Sequence, residues 1–134
     1  MRWVMIILAA FAVLVLVVVI TGLLLPQSHV ASRWASYQAS PATVWAAITD
    51  VSAFPSWRPD VKTVELLSAP DAPFHWRELG ERPITFEQIE AEAPRRLVIH
   101  IADRSLPFGG GWTYELSPAD GGGTVLNVTE HGEV

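Results

Sequence analysis

From Val4 to Leu25 the chain carries no charged side chain, and sixteen of those twenty-two residues are Val, Ile, Leu or Phe. As a helix this run rises about 33 Å, close to the roughly 30 Å hydrocarbon thickness of a bilayer. Val and Ile are mediocre helix formers in water, but in lipid every backbone group of a lone segment must bond internally, and only a helix does that. Per-residue insertion preferences for the sixteen side chains sum to an upper bound of about −5 to −10 kcal/mol. Trp3 and Arg2 stand where an interfacial anchor belongs. A secretory signal peptide is the competing reading. Its apolar core is normally about 7 to 15 residues long and ends in a small-x-small cleavage site, whereas this run is longer and ends in Leu23-Leu24-Leu25-Pro26-Gln27, with only Val30 and Ser32 as a partial cleavage pattern. The expectation is a transmembrane anchor over residues 1–25, touching lipid through residues 4–25, in a single-pass membrane protein. Arg2 and the terminal amine precede the run and Arg33 is the next basic residue. The positive-inside rule then points to an extracytoplasmic domain.

Residues 26–29 read as a short tether and residues 30–134 as one domain, long enough for a single core but not for two. After residue 25 there are 8 basic and 14 acidic residues, a formal charge of −6. Such a domain lacks the basic stripe that a phosphate backbone requires, so nucleic acid is not an expected partner. There is no cysteine, which removes disulfides and thiolate chemistry.

Val30 to Ala39 reads as a strand with Trp34 and Tyr37 as aromatic β-formers. Ser40 is an N-cap and Pro41 fits the first helical position, where no N–H is needed. Val44, Trp45 and Ile48 fall on one face of the helix that follows, which is expected to end near Asp50. Pro55 limits a second helical piece to Val51–Ser56. Turn signals then recur at the spacing of an antiparallel sheet. They divide the rest into Val61–Leu67, Phe74–Leu79, Ile84–Ala91, Arg96–Asp103, Gly111–Leu116 and Thr124–Glu130, with a turn at residues 69–73. One strand before the helices and six after them make seven.

This order resembles the helix-grip arrangement of the START-like (SRPBCC) superfamily, and in particular its polyketide cyclase/dehydrase and lipid-transport branch. The residues that carry the resemblance are Ser40-Pro41-Ala42-Thr43-Val44-Trp45, Ile48-Thr49-Asp50, Phe54-Pro55-Ser56-Trp57-Arg58-Pro59, and Gly123-Thr124 leading into Val128-Thr129-Glu130. It spans residues 29–134 and implies an α+β fold with a ligand cavity. It does not imply a reaction, since such folds host carriers, cyclases and hormone-binding proteins. Nor does it imply a cofactor. Family members usually close with a long C-terminal helix across the concave face of the sheet, whereas this sequence stops at Val134 directly after the seventh strand. The expectation is a C-terminally truncated fragment, or a face covered by the membrane surface or a second copy, because a bare apolar face of that size is avoided by soluble monomers.

Alternation on the later strands puts Leu97, Ile99 and Ile101, then Trp112, Tyr114 and Leu116, then Leu126 and Val128 on one face, and His100, Thr113, Glu115 and Asn127 on the other. The expected cavity lining is Trp76, Ile99, Ile101, Trp112, Tyr114, Leu126 and Val128, with Asp103 and Glu130 at the rim and Trp45 and Trp57 in the core. His100 is expected to face solvent. No metal site is expected, because the four histidines have no ligand-type partner at a recognised spacing. There is no nucleophile elbow, phosphate loop or dinucleotide fingerprint, and the catalytic residues of any reaction stay unassigned. The leading expectation is non-catalytic binding of a small hydrophobic molecule or lipid. The alternatives are a cyclase/dehydratase-like enzyme using Asp103, Glu130 or Tyr114, and a module that docks a partner's helix on the concave face.

Overall fold

The computed structural model describes residues 1–68 and 73–133. The turn expected at residues 69–73 falls mostly outside them. The apolar run forms one helix, α1 (Arg2–Leu24), none of whose residues is buried. It is long and apolar enough to cross a membrane, a test that an N-terminal signal sequence also passes. Only Leu25, Pro26 and Gln27 separate it from β1 (Ser28–Tyr37), so the tether is shorter than its expected span.

Seven strands make one antiparallel sheet. After β1 come β2 (Thr63–Leu66), β3 (His75–Leu79), β4 (Ile84–Glu92), β5 (Arg96–Ile101), β6 (Gly109–Pro118) and β7 (Thr124–Glu133), in the spatial order β1-β7-β6-β5-β4-β3-β2. The sheet is thus a meander from β2 to β7, and β1 returns to lie beside the last strand. β6 and β7 run longer than their apolar alternation indicated, because each pairs over ten residues across glycines that carry no hydrophobic signal. One of these, Gly110, has φ 113°, and a Cβ there would lie 1.8 Å from the backbone oxygen of His131. Both the conformation and the space exclude a side chain, so Gly110→Ala is expected to cost roughly 2 kcal/mol or more, read as a lowered urea midpoint.

The connection after β1 holds two helical pieces, α2 (Pro41–Thr49) and a 3-10 turn, Val51–Ser56. Ser40 caps α2 by accepting the Thr43 N–H at 3.3 Å, with Pro41 at the first helical position as expected. Thr124, with no exposed surface, donates its hydroxyl to the Ala39 carbonyl at 2.8 Å. That bond pins the strand-to-helix link against the start of β7.

Two clusters form the core on the concave side of the sheet. Val51, Phe54, Val61, Trp76 and Phe86 make one, with Ile99, Ile101 and Trp112 packed against it. Val44, Leu116 and Leu126 make the other, joined by Trp45, Ile48, Tyr114 and Val128. The convex side carries ion pairs, Arg96 with Glu90 at 3.3 Å and Glu115 at 2.8 Å and Arg77 with Glu65 at 3.2 Å, and on β1 it also exposes Val30 and Trp34. Pairs as exposed as these contribute little to stability. His100 is exposed on this side, where the alternation puts it.

Candidate functional site

The main cavity, main by its aromatic lining and not by its size, lies between the helical connection and the strands from β3 to β6. Its volume is about 330 Å³. The strand meander supplies one wall through period-two alternation, which aims Trp76 and Glu78 of β3, Phe86 of β4, Ile99 of β5, and Trp112 and Tyr114 of β6 to the same side. Ile48, Phe54, Trp57 and Arg58 close it from the helical side. The rings form a continuous row: Phe74 to Trp76 at 5.5 Å, Trp76 to Phe86 at 5.7 Å and nearly parallel, Phe86 to Trp112 at 5.9 Å. These separations are the favourable range for aromatic pairs and hold the wall rigid.

One polar group interrupts this wall. Glu78 is only 8% exposed, and its Oε1 accepts from Arg58 Nη1 at 3.0 Å and from the Trp76 indole N–H at 3.1 Å. Arg58 Nη2 donates to Asp60 Oδ2 at 2.7 Å, and its guanidinium lies 5.1 Å from the centre of the Phe54 ring. Burial opposes the charge on Arg58, yet the Asp60 and Glu78 carboxylates outweigh it and raise the guanidinium above its ordinary pKa. The Arg58 hydrogen bond holds Asp60 below the usual carboxylate range. Burial raises the Tyr114 phenol and outweighs the opposing pull of Arg58, with Glu78 adding to the rise. Tyr114 therefore keeps its proton and can donate it in a hydrogen bond.

The nine residues expected to line or rim one cavity are divided among three hollows. Trp76, Ile99, Trp112 and Tyr114 line the main cavity. Leu126, Val128 and Glu130 line a second hollow of about 390 Å³ beside Ala31, Arg33 and Ala35 of β1, and Trp112 borders both. Ile101 and Asp103 line a third, more polar recess with His100, Arg104 and His131. Period two assigns a residue to a face but not to a position along a curved one, which is why one predicted lining became three. Asp103 is turned into its own loop, accepting from Ser105 N–H at 2.9 Å and Ser105 Oγ at 2.5 Å; these bonds lower its pKa. Glu130 is 3.7 Å from the His29 ring. Neither carboxylate borders the main cavity.

Trp57 corrects an expectation. It is 54% exposed rather than core, standing edge-on to Phe54 at 5.6 Å at the cavity wall, because the 3-10 turn ends at Ser56 and the chain swings outward. Trp45 packs half-buried against the second cluster. Arg58 and Glu78 were missed as site residues. A signal for Glu78 existed: it stands two residues from Trp76, so a carboxylate occupies an inward position in mid-strand. Among the described residues no group of three or more His, Asp or Glu could hold a metal ion.

The fold and the sequence agree with known proteins. Residues 29–134 match the family model described as polyketide cyclase / dehydrase and lipid transport. No curated protein matches the sequence. Among solved structures, a START superfamily protein from Mycobacterium smegmatis is similar at TM-score 0.67 and 19% identity, over 79% of this chain and 77% of that one. The ZhuI aromatase/cyclase from Streptomyces sp. R1128 is similar at TM-score 0.65 and 17% identity, over 80% of this chain and 68% of that one. A norcoclaurine synthase point mutant from Thalictrum flavum has TM-score 0.66 at 11% identity, over 80% of this chain and 76% of that one. At such identities these likenesses speak for the fold alone, which is START-like, while the family match covers most of the chain: it belongs to the polyketide cyclase / dehydrase and lipid transport family.

Proposed function

We propose that this protein is a membrane-anchored START-like domain that binds a small hydrophobic molecule or lipid in its main cavity without transforming it. The observation that carries the reading is the cavity itself, walled by Phe54, Trp76, Phe86 and Trp112 and interrupted by a single part-buried ion pair. Small-molecule sites have this composition: aromatic walls that take up the apolar body, and a few fixed polar groups that orient it. A proton-abstracting enzyme finds less support. Asp103 and Glu130 lie off the cavity, and the carboxylate that does reach it, Glu78, is engaged by Arg58 and the Trp76 indole.

Extraction of the purified full chain with organic solvent, followed by mass spectrometry, is expected to release a bound apolar compound. Trp112→Ala, which opens the wall shared by the main cavity and the β1 hollow, should reduce its yield several-fold. An empty extract from protein that also binds no added apolar probe would remove the reading.

The anchor is supported by the length of α1, its lack of buried residues and the three-residue connection to β1. Those three residues span at most about 14 Å when extended, which would hold the start of β1 near the membrane surface. Intact mass measurement should find the chain uncleaved, and alkaline carbonate should leave it in the membrane pellet. A mature product beginning after about residue 30 would instead identify α1 as a signal sequence. Protease protection in sealed vesicles would report the side, for which the charge flanking α1 favours the extracytoplasmic face.

A further inference from the structure

The convex face of the sheet is uneven in charge, and its uncharged part lies on the strand that leaves α1. By alternation Val30, Ser32 and Trp34 of β1 share this face with their partners on β7, His131, Thr129 and Asn127. A hydrogen bond of 2.8 Å between the Ser32 and Thr129 hydroxyls fixes those two on one side. With His131 neutral the strip carries no charge. Val30 is 67% exposed and Trp34 75%, so two apolar side chains about 13 Å apart along the strand stand in water there. Carboxylates begin beyond the strip: Glu133 at its end, Glu115 on β6 held by Arg96, and Glu90 and Glu92 on β4. The same division is written along the chain. No Asp or Glu precedes Asp50, although the part after residue 25 has a formal charge of −6.

Resting on the reading of α1 as a retained membrane anchor, we infer that this strip is a second membrane contact, with β1 lying along the lipid surface and Trp34 and Val30 set among the headgroups. The three-residue connection holds Ser28 within about 14 Å of the end of α1, so the strip meets the bilayer at high local concentration and needs no other partner. Trp is favoured at the membrane–water interface, where its ring is apolar and its N–H stays wet. A strip without carboxylates meets phosphate-bearing headgroups without repulsion. β1 is also the edge of the sheet, and its outward N–H and C=O groups need water, which sets the contact in the headgroup zone and not in hydrocarbon. A convex surface touches a plane along one strip only. Contact at β1 and β7 therefore lifts the acidic β4, about 19 Å across the sheet, toward water.

The test uses the full chain reconstituted in phosphatidylcholine vesicles, with a nitroxide on one introduced cysteine at a time; the chain has no cysteine of its own. Ser32→Cys reports the strip, Glu90→Cys the acidic part of the same face, and Leu14→Cys the middle of α1. Power saturation compares collisions with oxygen, which concentrates in lipid, and with a water-soluble nickel chelate. The oxygen-to-nickel ratio at Ser32→Cys is expected to exceed that at Glu90→Cys by about three-fold or more and to stay below that at Leu14→Cys, as the headgroup zone requires. Adding Trp34→Glu, at a position outside the core, should bring Ser32→Cys within about 1.5-fold of Glu90→Cys and leave Leu14→Cys unchanged. A Ser32→Cys ratio equal to that of Glu90→Cys, with Leu14→Cys deep in lipid, would overturn this inference and leave the anchor standing. So would a high ratio that Trp34→Glu does not move, or a Ser32→Cys label shielded from both reagents, the sign of a protein contact such as a second copy. A water-exposed Leu14→Cys label would overturn the anchor and this inference with it.

Discussion

Replacing Arg58 with alanine is expected to destabilise the domain by about 3 kcal/mol, toward the lower end of what breaking a buried pair costs. The reason is what it leaves behind. Glu78 has a side chain only 10% exposed and would be left in an aromatic wall with the Trp76 indole as its one remaining donor. The reverse substitution, Glu78→Ala, is expected to cost less, about 1–2 kcal/mol, because the Arg58 side chain is 28% exposed and retains Asp60 and the Phe54 ring. Urea denaturation followed by tryptophan fluorescence measures both. The asymmetry is the informative quantity. Equal losses, or a loss below about 1 kcal/mol for Arg58→Ala, would mean that water reaches Glu78 more freely than its burial indicates. A net stability of about 5–15 kcal/mol is usual for a domain, so the larger loss should also be visible as reduced yield.

Trp76→Ala is expected to be at least as damaging, with about 3–5 kcal/mol lost and the main cavity enlarged. Trp76 is 2% exposed and lies between Phe74 and Phe86, so its removal leaves a void that these rings cannot fill without breaking their own contacts. Trp76→Phe separates two contributions. It keeps most of the ring volume but deletes the indole N–H that donates to Glu78, and about 1–2 kcal/mol should be lost. A double-mutant cycle of Trp76→Phe with Glu78→Gln should then show a coupling of 0.5 kcal/mol or more. Additive losses would show that the 3.1 Å contact contributes nothing of its own.

The helical connection was legible because capping and proline rules are local: Ser40, Pro41 and Pro55 act on backbone groups within four residues of themselves. The strands were legible for a similar reason, since alternation between turn signals needs no knowledge of the partner strand. Strand ends were less so. β2 is the short piece Thr63–Leu66 rather than Val61–Leu67, because Val61 turns into the core beside Phe54, and β5 ends at Ile101 rather than Asp103, where the loop folds back on its own carboxylate. In β4 a register shift between Gln88 and Glu90 leaves Ile89 52% exposed, which alternation alone does not anticipate.

The site was legible only as a set of inward faces. Trp76, Ile99, Trp112 and Tyr114 were assigned to the right side of the sheet and also share a cavity. Leu126 and Val128 are on that side too, yet they line the second hollow beside β1, and Ile101, although paired with Phe86, borders the third recess. Asp103 and Glu130 were drawn in as carboxylates at strand ends, whereas the carboxylate that reaches the cavity is in mid-strand. Its partner comes from the far side of the fold: Arg58 and Glu78 are twenty residues apart, joined across the space between the 3-10 turn and β3. No local rule measures that distance.

By itself the sequence determined the elements, their order and the face that each of the last three strands turns inward, because capping, proline geometry and period-two alternation are properties of short stretches of chain. It also determined that the first helix carries no charge from Val4 onward. The tertiary structure alone decided which inward side chains meet. The curvature of the sheet divides one apolar face into separate hollows, and the packing of the helical connection against β3 brings Arg58 to Glu78. A face follows from the period of the backbone; a cavity follows from how two faces close on one another, and that depends on contacts between residues far apart in the chain.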